Sequence, residues 1–302
     1  MKPKIAVITY EARGSYNTQD VADEDELLGN ILDQLDIFYR FEVWSDSAVD
    51  WSQYDLLLLK SPWDYFDRYK EFKMWCEKIS SLNIPLVNSV TTVLWNSDKR
   101  YLKEIELAGY SIVKTFFLEN GGVKAQLESC FELFDAEQLV IKPTISGGAK
   151  NTFKINRDNW EEIGCKLDKL KGDESFMVQP FVDEIVEVGE YSYIFFRGEF
   201  SHAVLKSAKN GDYRVQHFYG GKIGNIQPTE MELQYLQSLV DSYAKDTLYA
   251  RVDGVWRGGD FLLMELELIE PYLFLFTSSV AVQNYKKALE QMICHQFERF
   301  GS

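Results

Sequence analysis

Short apolar runs alternate with amphipathic stretches through the first third of the chain. These segments lie at residues 5–10, 24–35, 41–44, 56–60, 66–79 and 85–88. Short apolar runs separated by amphipathic segments are typical of strands that alternate with helices. The pattern therefore predicts a parallel sheet with helices that cover it.

A second unit is predicted to begin near Asn96. A helix over residues 98–108 would end at Gly109, because glycine is a common C-terminal stop for helices. Strands are predicted to follow this helix at residues 112–117, 139–143, 152–155 and 176–180.

Longer strand-like segments begin at Glu190. Residues 190–197 and 199–207 are joined at Gly198, which predicts an antiparallel hairpin. A polar loop that contains glycine is predicted at residues 208–224.

The last part of the chain is predicted to contain a helix, two strands and a second helix. Thr229 and Glu232 form a capping-box pattern at the start of the first helix. The two strands lie around Gly258 and Gly259, and the C-terminal helix covers residues 279–300.

Size and charge limit the classes of function. The chain has 302 residues, of which 46% are hydrophobic. Because one domain typically has ~100 to 200 residues, two or three packed units are expected. The 47 acidic and 32 basic residues give a net charge of -15. Binding to phosphate backbones relies on lysine and arginine patches, so this charge argues against a nucleic-acid partner.

The cysteines, the histidines and the N-terminus exclude further classes. The four cysteines form no CxxC pair, and the three histidines pair closely with neither each other nor a cysteine. Zinc, redox and soft-metal sites are therefore not expected. The N-terminus does not fit a signal peptide, and no apolar stretch approaches the ~18 residues of a membrane span. We expect a cytoplasmic protein with no membrane partner, and a homodimer stays open.

The strongest chemical signal is a pair of strands crowded with carboxylates. Side chains two positions apart on a strand share a face, so Glu265 and Glu267 point the same way, as do Arg251 and Asp253. A three-residue loop at 258–260 would place Asp253 opposite Glu265. The same register would place Arg251 opposite Glu267.

These facing carboxylates predict a metal site. They repel each other unless a positive charge lies between them, and carboxylate oxygens suit Mg²⁺. The alternative is a solvated acidic strand. However, Leu266 and Leu268 interleave with the acids and mark the strand as half buried. We therefore predict magnesium ligands at Asp253, Glu265 and Glu267.

A second signal is a lysine followed by a loop that contains glycine. Lys142 ends an apolar strand, where Pro143 stops the pairing of that strand. The loop of Ser146, Gly147 and Gly148 lets backbone amides approach a phosphate closely. Lys142 would then act as a point charge on the phosphates, although a glycine pair alone is more often only a turn.

A third signal lies at residues 179–182, where an apolar strand runs into Gln-Pro-Phe-Val. Pro180 leaves local backbone groups unpaired, and such groups can bind the edge of an adenine. The same segment could equally be an edge strand.

The order and spacing of these three segments resemble the ATP-grasp superfamily, and within it the prokaryotic glutathione synthetase-like group. The likeness extends to the cyclo-ligases of D-cycloserine biosynthesis and covers nearly the whole chain. It includes the stretches at residues 61–66, 94–102, 199–216 and 266–274.

The resemblance implies an α/β ATP-grasp fold, in which an N-terminal parallel α/β domain precedes two α+β subdomains that clasp ATP. The N-terminal substrate domain would cover residues 1–96, and the ATP-grasp domain residues 97–302. Within the second domain, a small lid subdomain is expected at 112–178 and a C-terminal subdomain at 179–302.

The resemblance also implies roles for individual residues. Lys99 looks like the first phosphate-binding lysine and Lys142 like the second, residues 179–182 resemble an adenine hinge, and Glu190 matches the acid that binds ribose hydroxyls. The ATP-binding residues expected in this way are Lys99, Lys142, Ser146, Gly147, Gly148, Gln179, Pro180, Phe181, Val182 and Glu190.

Catalytic and metal-binding roles are implied as well. Arg214 and Arg251 resemble the arginines that stabilise charge on the transferring phosphoryl group and the tetrahedral intermediate. Asp253, Glu265 and Glu267 match the metal ligands.

Two positions complicate these assignments. Many superfamily members carry asparagine at the position of Glu267, so a third charged ligand would tighten Mg²⁺ binding here. Lys103 lies one helical turn beyond Lys99 and is the alternative first phosphate lysine.

Several further residues are open candidates. Trp63 and Asp64 follow a strand end, where open α/β sheets bind ligands, although Trp63 would fit a core position equally well. His202 and His217 flank the predicted loop, but a lone histidine is more often structural. Glu270 would either position an amine or simply begin the next element.

The function implied is an ATP-dependent ligase that joins a small-molecule carboxylic acid to an amine through an acylphosphate, with ATP and Mg²⁺ as cofactors. One alternative is an intramolecular cyclo-ligase of the D-cycloserine type. Another is a regulatory protein that binds MgATP without turnover.

Overall fold

The computed structural model describes residues 3–11, 24–119, 121–170, 174–207 and 221–298. These residues form three sheets with helices packed against them. The mixture of one parallel and two antiparallel sheets confirms the predicted α/β class. Within the described residues, no helix is long and apolar enough to cross a membrane.

The first sheet is parallel and has the order β2-β1-β3-β4. Alternate residues of its central strands face opposite helices. Val7 and Leu58 pack toward the helices at residues 24–34 and 279–298, whereas Ile8 and Leu59 pack toward the helix at residues 69–81. Because both faces are covered, the central strands are almost entirely apolar. Its elements are β1 (Lys4–Thr9), α1 (Glu24–Gln34), β2 (Phe38–Val43), β3 (Leu56–Ser61), α2 (Tyr69–Ser81) and β4 (Leu86–Val87).

The helix predicted over residues 98–108 is confirmed as α4 (Tyr101–Leu107), and a separate short helix that was not predicted, α3 (Val90–Asn96), precedes it. The amide of Lys99 donates a hydrogen bond of 2.8 Å to the carbonyl of Thr144. This bond ties the turn between the two helices to the end of a distant strand. Gly109 follows α4 with a φ of +95°, as the predicted C-terminal stop requires.

The second sheet is antiparallel and has the order β5-β8-β6-β7. Two helices pack on it through Leu127, Phe131 and Leu167. The strand predicted at 112–117 is wrong for most of its length: only its end is a strand, and Ile112 forms an isolated bridge with Leu263. The elements are β5 (Phe116–Phe117), α5 (Val123–Phe134), β6 (Gln138–Pro143), β7 (Phe153–Asn156), α6 (Trp160–Leu170) and β8 (Phe176–Pro180).

The third sheet is antiparallel and has the order β11-β10-β9-β12-β13. It lies between α8, whose Leu236 and Val240 contact one face, and α9, whose Tyr285 contacts the other. The elements are α7 (Glu184–Glu187), β9 (Glu190–Phe196), β10 (Glu199–Ser207), β11 (Lys222–Ile226), α8 (Glu230–Tyr243), β12 (Tyr249–Arg257), β13 (Asp260–Glu267) and α9 (Ser279–Glu298).

Two local predictions in this region are confirmed, and a third needs correction. The β9–β10 hairpin turns at Arg197 and Gly198, and the capping box of Thr229 and Glu232 begins α8. However, β11 occupies the end of the loop predicted at 208–224, because it pairs with β10.

The register of the β12–β13 hairpin is as predicted, although the turn is not. Asp253 pairs with Glu265, and Arg251 pairs with Glu267. The turn contains only Gly258 and Gly259, since Arg257 already pairs with Asp260.

A β-bulge at Met264 supplies the extra residue that restores the predicted pairs. The shift falls at Gly254, where a Cβ atom would lie 2.4 Å from the carbonyl oxygen of Leu262. Glycine is therefore needed at this point of close approach.

The predicted domain boundaries stay a prediction. The first sheet ends at Val87, the second spans 116–180, and the third spans 190–267.

Candidate active site

A cavity of about 560 Å³ lies where residues of the three sheets come together. Trp63 and Phe66 reach it from the turn after β3, Lys142 from β6, and Glu265 from β13. Every described residue predicted to bind ATP or metal lines this cavity, namely Lys99, Lys142, Ser146, Gly147, Gly148, Gln179, Pro180, Phe181, Val182, Glu190, Asp253, Glu265 and Glu267.

Arg251 joins two of the predicted metal ligands. Its Nη2 lies 2.8 Å from Oδ2 of Asp253 and also donates a hydrogen bond to Glu267. Its Nη1 donates to the carbonyl of Tyr272 at 3.0 Å, and its guanidinium lies over the ring of Phe274. Arg251 is thus fixed by four neighbours and neutralises the carboxylates of the hairpin.

Asp253 is the most buried of the three carboxylates, with a side chain only 2% exposed. It accepts a hydrogen bond from Ser192, and Nζ of Lys206 lies 3.6 Å from its Oδ2. Burial raises the pKa of Asp253, but Arg251 and Lys206 outweigh burial and hold this pKa below its ordinary value. The carboxylate is therefore ionised.

Two lysines converge on Glu265. Nζ of Lys142 lies 2.9 Å from Oε1 of Glu265, and Nζ of Lys99 lies 4.0 Å from the same oxygen. Burial works against ionisation, yet Lys142 and then Lys99 lower the pKa of Glu265 to about 2.

Glu267 and Glu270 have the opposite behaviour. Burial raises the pKa of Glu267 to about 7, because the nearby Asp253 and Glu265 add to burial while Arg251 opposes it. Burial and then Glu267 raise the pKa of Glu270 well above its usual range. Glu270 lines the cavity beside Trp63, whose Nε1 donates to the Glu270 carbonyl at 3.2 Å.

Lys99, rather than Lys103, faces the cavity. Its Nζ donates a hydrogen bond of 2.8 Å to the carbonyl of Ser146, whereas Lys103 is exposed on α4. Lys99 therefore links the turn before α4 to the loop that begins at Ser146.

Residues 179–182 lie at the end of β8 and line the cavity as predicted. One backbone group of this segment is already used, because the amide of Phe181 donates to the carbonyl of Gln138 at 2.9 Å. The ring of Phe181 also lies 3.5 Å from Nζ of Lys154. The expectation of unpaired backbone thus fails at the Phe181 amide.

The sequence interpretation missed Lys206. This lysine is buried, lines the cavity, and its Nζ lies 3.1 Å from Oε2 of Glu190. Lys206 lies near the end of β10, on the strand face that points toward the cavity. Its place in the site becomes evident only once its pairing with Glu190 on β9 is known.

The weaker candidates separate clearly. Trp63 lines the cavity. Asp64 instead accepts a hydrogen bond of 2.6 Å from Nε1 of Trp44 and does not line the cavity. His202 bonds to the carbonyl of Leu273 at 2.8 Å and is structural. Arg214, predicted to be catalytic, and His217 lie outside the described residues.

The three predicted carboxylate ligands are of the kind that magnesium prefers, although the side chains of Arg251 and Lys142 lie among them. Among the described residues, no group of three or more acidic, histidine or cysteine side chains is arranged to hold a metal ion. Arg251 lies between Asp253 and Glu267, and Lys142 holds Glu265. Three carboxylates on one strand pair still offer the hard oxygen donors that Mg²⁺ prefers.

Comparison with known sequences points to one group of ligases. The family of the N-terminal domain of D-cycloserine synthetase DcsG matches residues 5–88. The cycloserine biosynthesis protein DcsG from Streptomyces lavendulae is 28% identical over 262 residues, which cover 83% of this chain and 87% of that protein.

Solved structures show the shared fold. The crystal structure of D-cycloserine synthetase DcsG matches with a TM-score of 0.84 at 23% identity, over 96% of this chain and 99% of that chain. The D-alanine–D-alanine ligase from Bacillus anthracis complexed with ATP matches with a TM-score of 0.66 at 17% identity, over 98% of both chains. By sequence and by fold, the chain is thus similar to D-cycloserine synthetase DcsG and to other ligases of the ATP-grasp fold.

Proposed function

We propose that this protein uses ATP to activate a small-molecule carboxylate as an acylphosphate, which an amine group then attacks to form a carbon–nitrogen bond. The convergence of Lys99 and Lys142 on Glu265, beside the loop of Gly147 and Gly148, carries the proposal. Two lysines beside backbone amides form a site for the charge of a polyphosphate.

We assign the cavity to ATP from the residues that line it. Residues 179–182 lie at one part of its wall and are assigned to adenine, whereas Glu190 is assigned to the ribose hydroxyls. Lys99, Lys142 and the loop at Ser146 would bind the phosphates. A related ligase fold is known in complex with ATP, which supports this assignment.

Asp253, Glu265 and Glu267 would hold Mg²⁺ when ATP binds. The ion would supply positive charge to the phosphate oxygens. When the phosphates take over Lys99 and Lys142, Glu265 loses its lysine partners. Its carboxylate would then be free to act as an anionic ligand of the ion, whose charge would replace that of the two lysines.

The chemistry proceeds in two steps. A carboxylate oxygen of the substrate bonds to the γ-phosphorus of ATP, and the bond to the ADP oxygen breaks. The amine nitrogen next attacks the acyl carbon, loses a proton, and inorganic phosphate leaves. Lys99, Lys142 and Arg251 stabilise the negative charge that develops in these steps.

The intramolecular form of this reaction is favoured. The similarity to proteins of cycloserine biosynthesis covers most of the chain, and the product named for those relatives is a ring. We therefore propose that the carboxylate and the amine belong to the same substrate molecule.

An ADP-release screen tests the proposal. Amino-functional carboxylic acids are supplied singly and then with separate amines, and products are analysed by mass spectrometry. We expect ADP with a single acid and a product lighter than that acid by one water. If no acid stimulates ADP release, or if Glu265→Gln turns over as fast as the parent, the proposal is wrong.

A further inference from the structure

The turn that follows β3, at residues 62–68, is held rigidly in place. Its backbone forms successive bonds from the amide of Tyr65 to Pro62 at 2.9 Å and from Arg68 to Tyr65 at 3.2 Å. The Tyr65 ring is buried against Phe72. Hydrogen bonds within the turn and the buried ring thus hold its residues together.

Phe66 of this turn contacts the glycine loop, defined here as residues 146–150. A Cβ atom built on Gly147 would lie 2.4 Å from Cε1 of Phe66 and 2.9 Å from its Cδ1. The phenyl ring thus packs directly on the backbone of Gly147, where any larger residue would push the loop away.

An ion pair holds the other end of the glycine loop to the same turn. Nζ of Lys150 donates to Oδ1 of Asp67, with side chains 48% and 36% exposed respectively. Between the two contacts, Gly148 and Ala149 have φ values of +58° and +60°. Non-glycine residues in this region persist only where their surroundings support them.

The turn also contacts the backbone at Glu270, another residue that lines the cavity. Trp63 lines the cavity, and its Nε1 donates to the carbonyl of Glu270 at 3.2 Å. One short segment therefore contacts both the glycine loop and the region near Glu270. If ATP lies along residues 179–182, the region near Glu270 remains for the acid substrate.

We propose that Phe66 and Asp67 are positioning residues that link occupancy of the acid site to the conformation of the glycine loop, and hence to the binding of ATP phosphates. The inference rests on the proposed function of the cavity. Neither residue needs to touch the nucleotide, because both act through Gly147 and Lys150.

A charge exchange tests the ion pair. Asp67→Lys and Lys150→Asp are each expected to weaken binding of magnesium-loaded AMPPNP, measured by calorimetry, by about tenfold, which is a typical coupling between linked sites. The double variant should recover most of the affinity. The matched control is the exposed pair of Lys166 and Glu162 on α6, whose exchange should leave affinity unchanged.

Phe66→Ala and Gly147→Ala test the packing contact. Each should weaken AMPPNP binding, and the double variant should be no weaker than the worse single variant, because both remove the same contact. Thermal melting of Phe66→Ala separates a loss of fold from a loss of loop position. The acid found in the ADP-release screen should tighten AMPPNP binding in the parent but not in Phe66→Ala.

The outcomes distinguish this inference from the proposed function. If the parent does not bind AMPPNP, the proposed function fails and the inference fails with it. If the parent binds AMPPNP, and Phe66→Ala and Asp67→Lys bind it equally well, the inference alone is overturned.

Discussion

Glu265 and Glu267 lie two residues apart on one face of β13, but the pKa values of their carboxyl groups differ sharply. We call the surroundings of Glu265, with Lys142 and Lys99, the lysine end, and those of Glu267, with Arg251, the arginine end. At the lysine end, Lys142 and Lys99 lower the pKa of Glu265 to about 2, against the effect of burial. At the arginine end, burial raises the pKa of Glu267 to about 7, because Arg251 is shared with Asp253.

The difference teaches that burial raises the pKa of both carboxyl groups, and that the number of neighbouring cations decides which of the two stays below its ordinary value. Glu265 has two lysines from other elements, whereas Glu267 shares one guanidinium and is repelled by two carboxylates. Before ligands bind, the carboxylate of Glu265 is thus paired with both lysines. The arginine end retains a carboxyl that titrates near neutral pH.

Removal of Arg251 should break the arginine end and have the largest effect. Arg251→Met leaves Asp253 and Glu267 without their shared cation. Breaking a buried pair by removing one partner costs about 3 to 5 kcal/mol. Urea unfolding measures this loss.

The control for that variant lies on the same strand. Arg257 pairs with Glu184 near the hairpin turn, and its side chain is 49% exposed. Arg257→Met should cost less than about 1 kcal/mol, as expected for a surface pair. Equal losses for the two variants would contradict the contrast.

Removal of Lys99 should break the lysine end. Lys99→Met is expected to lower kcat/KM for ATP by roughly 10²- to 10³-fold, the usual effect of deleting one fixed charge-stabilising donor. Lys103→Met is the matched control, because Lys103 lies on the exposed face of α4. Steady-state ADP release with the acid from the screen measures both. A larger effect for Lys103→Met would reverse the assignment of the two lysines.

The pH dependence should sharpen the contrast between the two ends. With a pKa of about 7, Glu267 is mostly protonated at pH 6, so Mg²⁺ binding to the ATP-free protein should weaken about tenfold between pH 8 and pH 6. Glu267→Gln should remove this dependence. Calorimetry in buffers of different ionisation enthalpy would detect the released proton.

The effect on stability has a defined sign. Because the folded pKa of Glu267 lies above the ordinary value of 4.5, its contribution to the stability of the ligand-free protein is fully present below about 4.5. That contribution is lost as the pH rises through about 7. Glu265 behaves oppositely, since its stabilisation is present above 4.5 and lost as the pH falls toward about 2.

A substitution in the β12–β13 turn should have the smallest effect on the free energy of unfolding. Gly259 has a φ of +96°, and a Cβ atom there would meet nothing within 4 Å. Gly259→Ala should therefore cost about 1 kcal/mol through backbone conformation alone. Gly224→Ala, also in open space but without a positive φ, is the control in urea unfolding. Similar costs at the two glycines would show that turn conformation does not matter.

The local patterns of the sequence were enough for several elements. Short apolar runs that alternate with amphipathic stretches predicted the parallel first sheet, and Gly198 predicted a hairpin turn. Strand parity placed Asp253 opposite Glu265, although the loop assumed for it was one residue too long. The bulge at Met264 offset that error, and no local signal predicted the bulge.

Other elements depend on contacts that are distant in sequence. The start of α4 is one such element: it begins at Tyr101 rather than at residue 98, and the amide of Lys99 before it bonds to the carbonyl of Thr144. The strand β11 forms because β10 offers it an edge. Asp64 is removed from the site by Trp44, a partner that its own segment does not reveal.

By itself, the sequence determined which residues carry charge and which strand face each occupies, because side-chain parity is a local property. Only the tertiary structure decided how those charges are paired. Lys142 and Glu265 are 123 residues apart, so their 2.9 Å contact depends on how two sheets pack together. The protonation of each carboxyl follows from such contacts, since Coulomb energy depends on distance and burial rather than on position in the chain.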